Sequence, residues 1–111
     1  MKLDKGSPRV VGIISCYEED IEKCFATAYL IAGATKEELL SETRDRYLVW
    51  ARMCIAHKLH KLIYQATIVG AILNRTHSQV LYWERKFDHM YENELGFSKF
   101  YDRFERIYSQ Q

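Results

Sequence analysis

Three times in this chain a serine or threonine stands three residues ahead of a glutamate or glutamine: Ser15-Cys-Tyr-Glu18, Thr35-Lys-Glu-Glu38 and Thr76-His-Ser-Gln79. Each leads into apolar residues at helical spacing. This is the capping-box pattern, in which the first side chain takes up a free amide of the opening turn and the second reaches back to the cap. Between these starts there is one proline, Pro8, and no Asn-Gly or Asp-Gly pair to turn a hairpin. An all-α chain is predicted, a compact bundle of five or six helices.

The first helix is expected from roughly 16 to 32, with Ile21, Phe25, Ala28 and Tyr29 on one face and Gly33 as its stop. A short helix follows the Thr35 box at Leu39-Leu40. The long one spans Asp45 to about Tyr64, where Leu48, Ala51, Ile55, Leu59, Leu62 and Ile63 recur while Arg52, Lys58 and Lys61 fall largely elsewhere. Ala66–Leu73 is barely two turns, Asn74-Arg75 breaks it, and Thr76 opens a helix through Val80, Trp83, Phe87 and Met90. A terminal helix is expected from Ser98, after Gly96. Its stripe of Phe97, Phe100, Tyr101, Phe104 and Tyr108 either closes the core or pairs with a second copy in a homodimer. Ile55, Leu59, Leu62, Ile72, Val80 and Phe87 are the expected core. Residues 1 to about 12 offer little to bury and are expected to be poorly ordered, leaving 13–111 as a single helical domain.

At 111 residues and 48% hydrophobic, the chain suits one packed core. Cys16, Cys24 and Cys54 are odd in number and lack CxxC spacing, which points to a reduced, cytoplasmic protein. The apolar run Val10–Ile14 is too short for a signal segment, so no membrane is expected. Cys54, His57 and His60 share helical spacing but lack a fourth ligand, and read as a core cysteine beside two surface histidines. No nucleophile with its base and no close acidic pair stands out, and Glu18-Glu19-Asp20 complements a helix N-terminus. No enzyme, metal or cofactor is expected.

The net charge of +1 hides an uneven distribution. Residues 44–86 carry eight basic and two acidic side chains, whereas 1–43 carry five against eight and 87–111 three against five. A basic centre between acidic flanks fits a polyanion-binding face, because cations that neutralise phosphates release condensed counterions. Two short helices joined tightly, at about 66–91, read as a helix-turn-helix whose second helix enters the major groove. Arg75-Thr76-His77-Ser78-Gln79 lies where that helix begins, and these side chains can hydrogen-bond base edges or phosphates. The expected partner is double-stranded DNA.

Ile68-Val-Gly70-Ala-Ile-Leu73-Asn-Arg75-Thr-His77-Ser-Gln-Val80 resembles the signature E-I-G-x-x-F-G-x-R-D-H-S/T-T-V. That signature belongs to the C-terminal DNA-binding domain of the bacterial replication initiator DnaA, a Trp-repressor-like helical domain. Upstream, Glu38-Leu-Leu-Ser41-Glu-Thr-Arg44-Asp-Arg46 and Ala51-Arg52 are similar to that family's D-L-L-S-x-x-R-x-R and A-R-Q segments, and the likeness covers residues 17 to about 91. The resemblance implies that Arg44 enters the minor groove and that Arg46, Arg52 and Lys61 contact phosphates. It also implies that Thr76, His77 and Ser78 read bases, with Arg75 and Gln79 beside them. Thr76 replaces a family aspartate, Gln79 a threonine, and Ala66-Thr67 a Leu-Pro pair, so the base sequence read differs. None of the five glycines opens a G-x-x-x-x-G-K-S/T loop, so no nucleotide is expected and the family's ATPase is missing. The other reading is a protein-interaction or regulatory module that keeps this fold without specific DNA binding.

Overall fold

The structure, a computed structural model, describes residues 8–111. Seven helices and no strands stand among the described residues: α1 (Pro8–Cys16), α2 (Glu18–Ala32), α3 (Lys36–Leu40), α4 (Arg46–Ile63), α5 (Ala66–Leu73), α6 (His77–Asn93) and α7 (Leu95–Ser109). None of them is long and apolar enough to cross a membrane.

The all-α expectation holds, with seven helices in place of five or six. The extra one comes from the N-terminus. Residues 8–12, expected to be poorly ordered, belong to α1, which buries Val10 and packs on α5; residues 1–7 lie outside the described part. Ser15 is consequently inside a helix and caps nothing. The break falls instead at Tyr17, which makes no side-chain cap bond, and Glu18, Glu19 and Asp20 complement the dipole of α2. Gly33 stops α2 as expected, in the left-handed region at φ 65°.

The other two boxes do form caps. Around α3 both halves are present: Glu38 N–H donates to Thr35 Oγ1 at 3.2 Å, and Thr35 N–H to Glu38 Oε1 at 3.0 Å. Asp45 caps α4 by accepting from Tyr47 N–H at 3.0 Å. Helix α4 is the hub, packed on α2, α3, α5, α6 and α7, with Ala51, Cys54, Ile55 and Leu59 fully buried. Of the expected core, Leu62 is the exception at 37% exposed. Ile63 turns inward in its place, because α4 ends there and its last turn has a narrower buried stripe.

Helix α7 closes the core within the chain. Phe97, Phe104 and Tyr108 are buried, Phe97 meets Phe87 edge-to-face at 5.3 Å, and Tyr108 Oη donates to Asp20 on α2 at 2.9 Å. The helix begins at Leu95, three residues earlier than expected, so Gly96 lies within it. That glycine has a packing reason rather than a stop role: a Cβ there would stand 3.0 Å from the indole of Trp50.

Candidate nucleic-acid interface

The helix-turn-helix depends on one glycine and one left-handed asparagine. Asn74 ends α5 at φ 58°, and the chain reverses so sharply that Arg75 N–H donates to Gly70 carbonyl at 2.7 Å. A Cβ on Gly70 would lie 2.5 Å from the carbonyl oxygen of Arg75, so only glycine allows this approach. Thr76, extended at φ −74°, then caps α6 by accepting from Gln79 N–H at 3.2 Å. The first-turn amides of α6 therefore open beside the turn, at the positive end of the helix dipole.

Two arginines meet at the loop between α3 and α4, one from α4 and one from this turn. Arg52, expected to grip phosphate, is instead 2% exposed. Its Nε donates to Leu39 carbonyl at 2.8 Å, Nη1 to Thr43 at 2.6 Å, and Nη2 to Glu38 at 2.9 Å and Ser41 at 3.1 Å. The guanidinium fork thus bonds carbonyls of the last turn of α3 and of the loop after it, and reaching them requires that it point inward. Arg75 comes to the same place from the turn. Its Nη2 donates to the Ser41 carbonyl, and its Nη1 to Leu73 and Asn74 carbonyls at 3.2 Å each. Asn74 Nδ2 adds a bond to Leu40 carbonyl at 3.1 Å.

None of Arg44, Arg52 or Arg75 forms an ion pair among the described residues. Burial first, and the charge of Arg75 second, push the Arg52 guanidinium below its ordinary pKa, with Glu42 opposing. The guanidiniums are held by neutral carbonyls, so their positive charge is left for the surroundings. It is concentrated in a cleft lined by Glu42, Arg44, Arg52, Arg75, Gln79 and Tyr82.

Four expected site residues, Arg44, Arg52, Arg75 and Gln79, therefore meet in one cleft, and exposed Arg44 is the one free to leave it. Arg46 is exposed on another side, 5.9 Å over the Trp50 ring and beside Lys99 and Arg103. Lys61 is exposed in the last turn of α4, at the other end of that helix from Arg46. Ser78 points outward, while Val80 and Trp83 turn inward at 0% and 7% exposed. His77 was expected to face outward as well, but it is half-buried, with Nδ1 shielded and without a hydrogen-bond partner. The side of α6 that packs toward α4 and α5 includes its position, one turn ahead of Val80.

Sequence reasoning missed Leu81, Tyr82, Arg85 and Lys86, all exposed on α6. The signal was available: Arg85 is two turns after Ser78 on one stripe, and Lys86 is one turn after Tyr82 on the next, its ammonium 5.7 Å from that ring. The two histidines of α4 are not the surface pair expected. His57 Nδ1 lies 2.8 Å and His60 Nδ1 3.3 Å from the carboxylate of Glu84 on α6, and His57 stacks on Phe87 at 3.8 Å. They tie α6 to α4 behind the cleft, while Cys54 is fully buried in the core. No protein-family model, curated protein or solved structure matches this chain.

Proposed function

We propose that the chain is a sequence-specific, double-stranded DNA-binding protein of the DnaA-like helix-turn-helix type, without an ATPase module, acting in a bacterial or phage-type cytoplasm. The observation that carries this reading is the unpaired arginine cleft fastened to the first turn of α6. Three arginines against the one carboxylate of Glu42, beside free helix amides, suit phosphate oxygens. Arg44 then extends from the loop toward the minor groove and Arg75 faces the backbone. Ser78, Gln79, Leu81 and Arg85 face the major groove, with His77 at its edge. Arg52 has a positioning role: it holds the loop that carries Arg44. Binding is the whole of the biochemistry in this reading, with no catalytic step.

Selection of bound duplexes from a random pool tests it. Enrichment of one short motif, with affinity falling by about one unit of log-log slope per phosphate contact as salt rises, is the expected result. No mobility shift on any duplex at low salt overturns it. The exposed pair Leu81 and Tyr82 favours the alternative, a regulatory module on the same fold that docks a protein, in that event.

A further inference from the structure

The arginine cleft does not end at Tyr82 and Trp83. It continues between α4 and α6 into a second hollow of about 410 Å³, which shares Val49, Tyr82 and Trp83 with the first and adds Trp50, Met53 and Lys86. The joined groove is cationic at one end and aromatic at the other. Both tryptophans of the chain line it, and Tyr82 stands on its rim 47% exposed. Its carboxylates lie apart, Glu42 at the arginine end and Glu94 at the far end.

We propose that this groove binds single-stranded DNA, with phosphates at Arg44 and Arg75 and an unpaired base against Tyr82 beside the half-buried Trp50. A duplex keeps the faces of its bases stacked within itself and has no use for an aromatic hollow. An unpaired strand presents both charges and flat apolar faces, and is held by a basic track with aromatic platforms. The placement of side chains on α6 separates the two modes. Ser78 and Arg85 lie on the outward stripe, Gln79 lines the arginine cleft that both modes share, and Tyr82 and Lys86 lie on the groove side. The proposal rests on the DNA-binding reading above. In it, one cationic cleft serves a duplex through its outer edge and a single strand through the groove behind it, as at a junction where a duplex opens.

Titration of the full chain with oligothymidylate of about twelve nucleotides, followed by tryptophan fluorescence and by anisotropy of a labelled strand, is the test. The strand is expected to quench the tryptophans. Tyr82→Ala should weaken strand binding about tenfold and duplex binding markedly less, and Tyr82→Phe should restore the strand. Arg85→Ala should do the reverse, weakening duplex more than strand. A duplex bound normally with no strand binding at low salt overturns the groove and leaves the duplex reading standing. Equal losses for duplex and strand in Tyr82→Ala place the tyrosine in the duplex interface and overturn the proposal, as does binding of oligouridylate as tight as that of oligothymidylate. Failure to bind either duplex or strand overturns the DNA reading itself.

Discussion

Two faces of the N-terminal half of α4 are held in place by different physics. Around Trp50 and α7 the contacts are aromatic: Trp50 meets Phe97 at 5.8 Å and Phe100 at 5.7 Å, and Phe87 meets Tyr101 at 4.8 Å, all edge-to-face. Around Arg52 the contacts are hydrogen bonds from two guanidiniums to backbone carbonyls of residues 38–43, 73 and 74. The aromatic face gains by removing apolar area from water and needs no particular donor geometry. The arginine face gains direction and a stored positive charge, and four of its bonds are lost together if the Arg52 fork is removed. The proposed duplex contacts fall on the arginine face, and the larger share of buried apolar area on the aromatic one.

The largest effect should come from the aromatic side, on α7. Phe104→Ala removes a fully buried ring and should cost about 3–5 kcal/mol of unfolding free energy in denaturant titration. Whatever fraction remains folded should bind duplex as tightly as the native chain. An equal fall in intrinsic affinity would mean that the two regions are coupled.

Arg52→Lys comes next. A single ammonium cannot reach four carbonyls arranged for a fork, so a loss of about 2–3 kcal/mol is expected although the charge is kept. Here binding should fall as well, because the loop bearing Arg44 loses its anchor. Unchanged stability would show that the carbonyls find water instead, and would return Arg52 to a surface role.

Alkaline pH should act on the aromatic side first. Burial pushes the Cys24 thiol from its ordinary 9.0 up to about 12, and burial raises Cys54 too. Tyr101 is raised by burial and then Glu105, Tyr108 by burial and then its bond to Asp20. In the unfolded chain these groups release protons at their ordinary values while the folded chain retains them. The unfolded state then binds fewer protons, so stability falls as pH rises above 9 and keeps falling to about 12. Melting temperatures measured from pH 8 to 11 check the sign. Exposed Cys16 should react with a thiol reagent at once, and Cys24 and Cys54 only on unfolding.

The smallest effect on the fold should be that of Arg44→Ala. The side chain is exposed and unpaired, so unfolding free energy should move by no more than about 0.5 kcal/mol. The slope of log affinity against log salt should nevertheless drop by about one. A stability change larger than that of Arg52→Lys would reverse the assignment of anchor and probe.

What was readable in the chain was local. Thr35 with Glu38 and Thr76 with Gln79 lie within one turn of one another, so their caps depend on nothing distant, and periodicity along α4 and α6 placed Ile55, Leu59, Val80 and Phe87 inward. Asn74 and Arg75 marked the turn for the same reason. Ser15 misled because the same local pattern was overridden once Val10 found a buried place and α1 formed through it.

The fate of the arginines was a tertiary matter. Arg44, Arg46, Arg52 and Arg75 are indistinguishable as cations in a sequence, and which one is buried depends on where acceptors lie in space. Only the packing of α3 on α4 brings the carbonyls of Glu38, Leu39, Ser41 and Thr43 around Arg52, and only the reversal at Asn74 carries Arg75 to the same Ser41. Backbone acceptors leave no trace in residue identity, since every residue has one. So caps and periods within the chain determined the helices, while the sorting of one charge into an anchor and another into a probe waited for contacts between segments far apart along it.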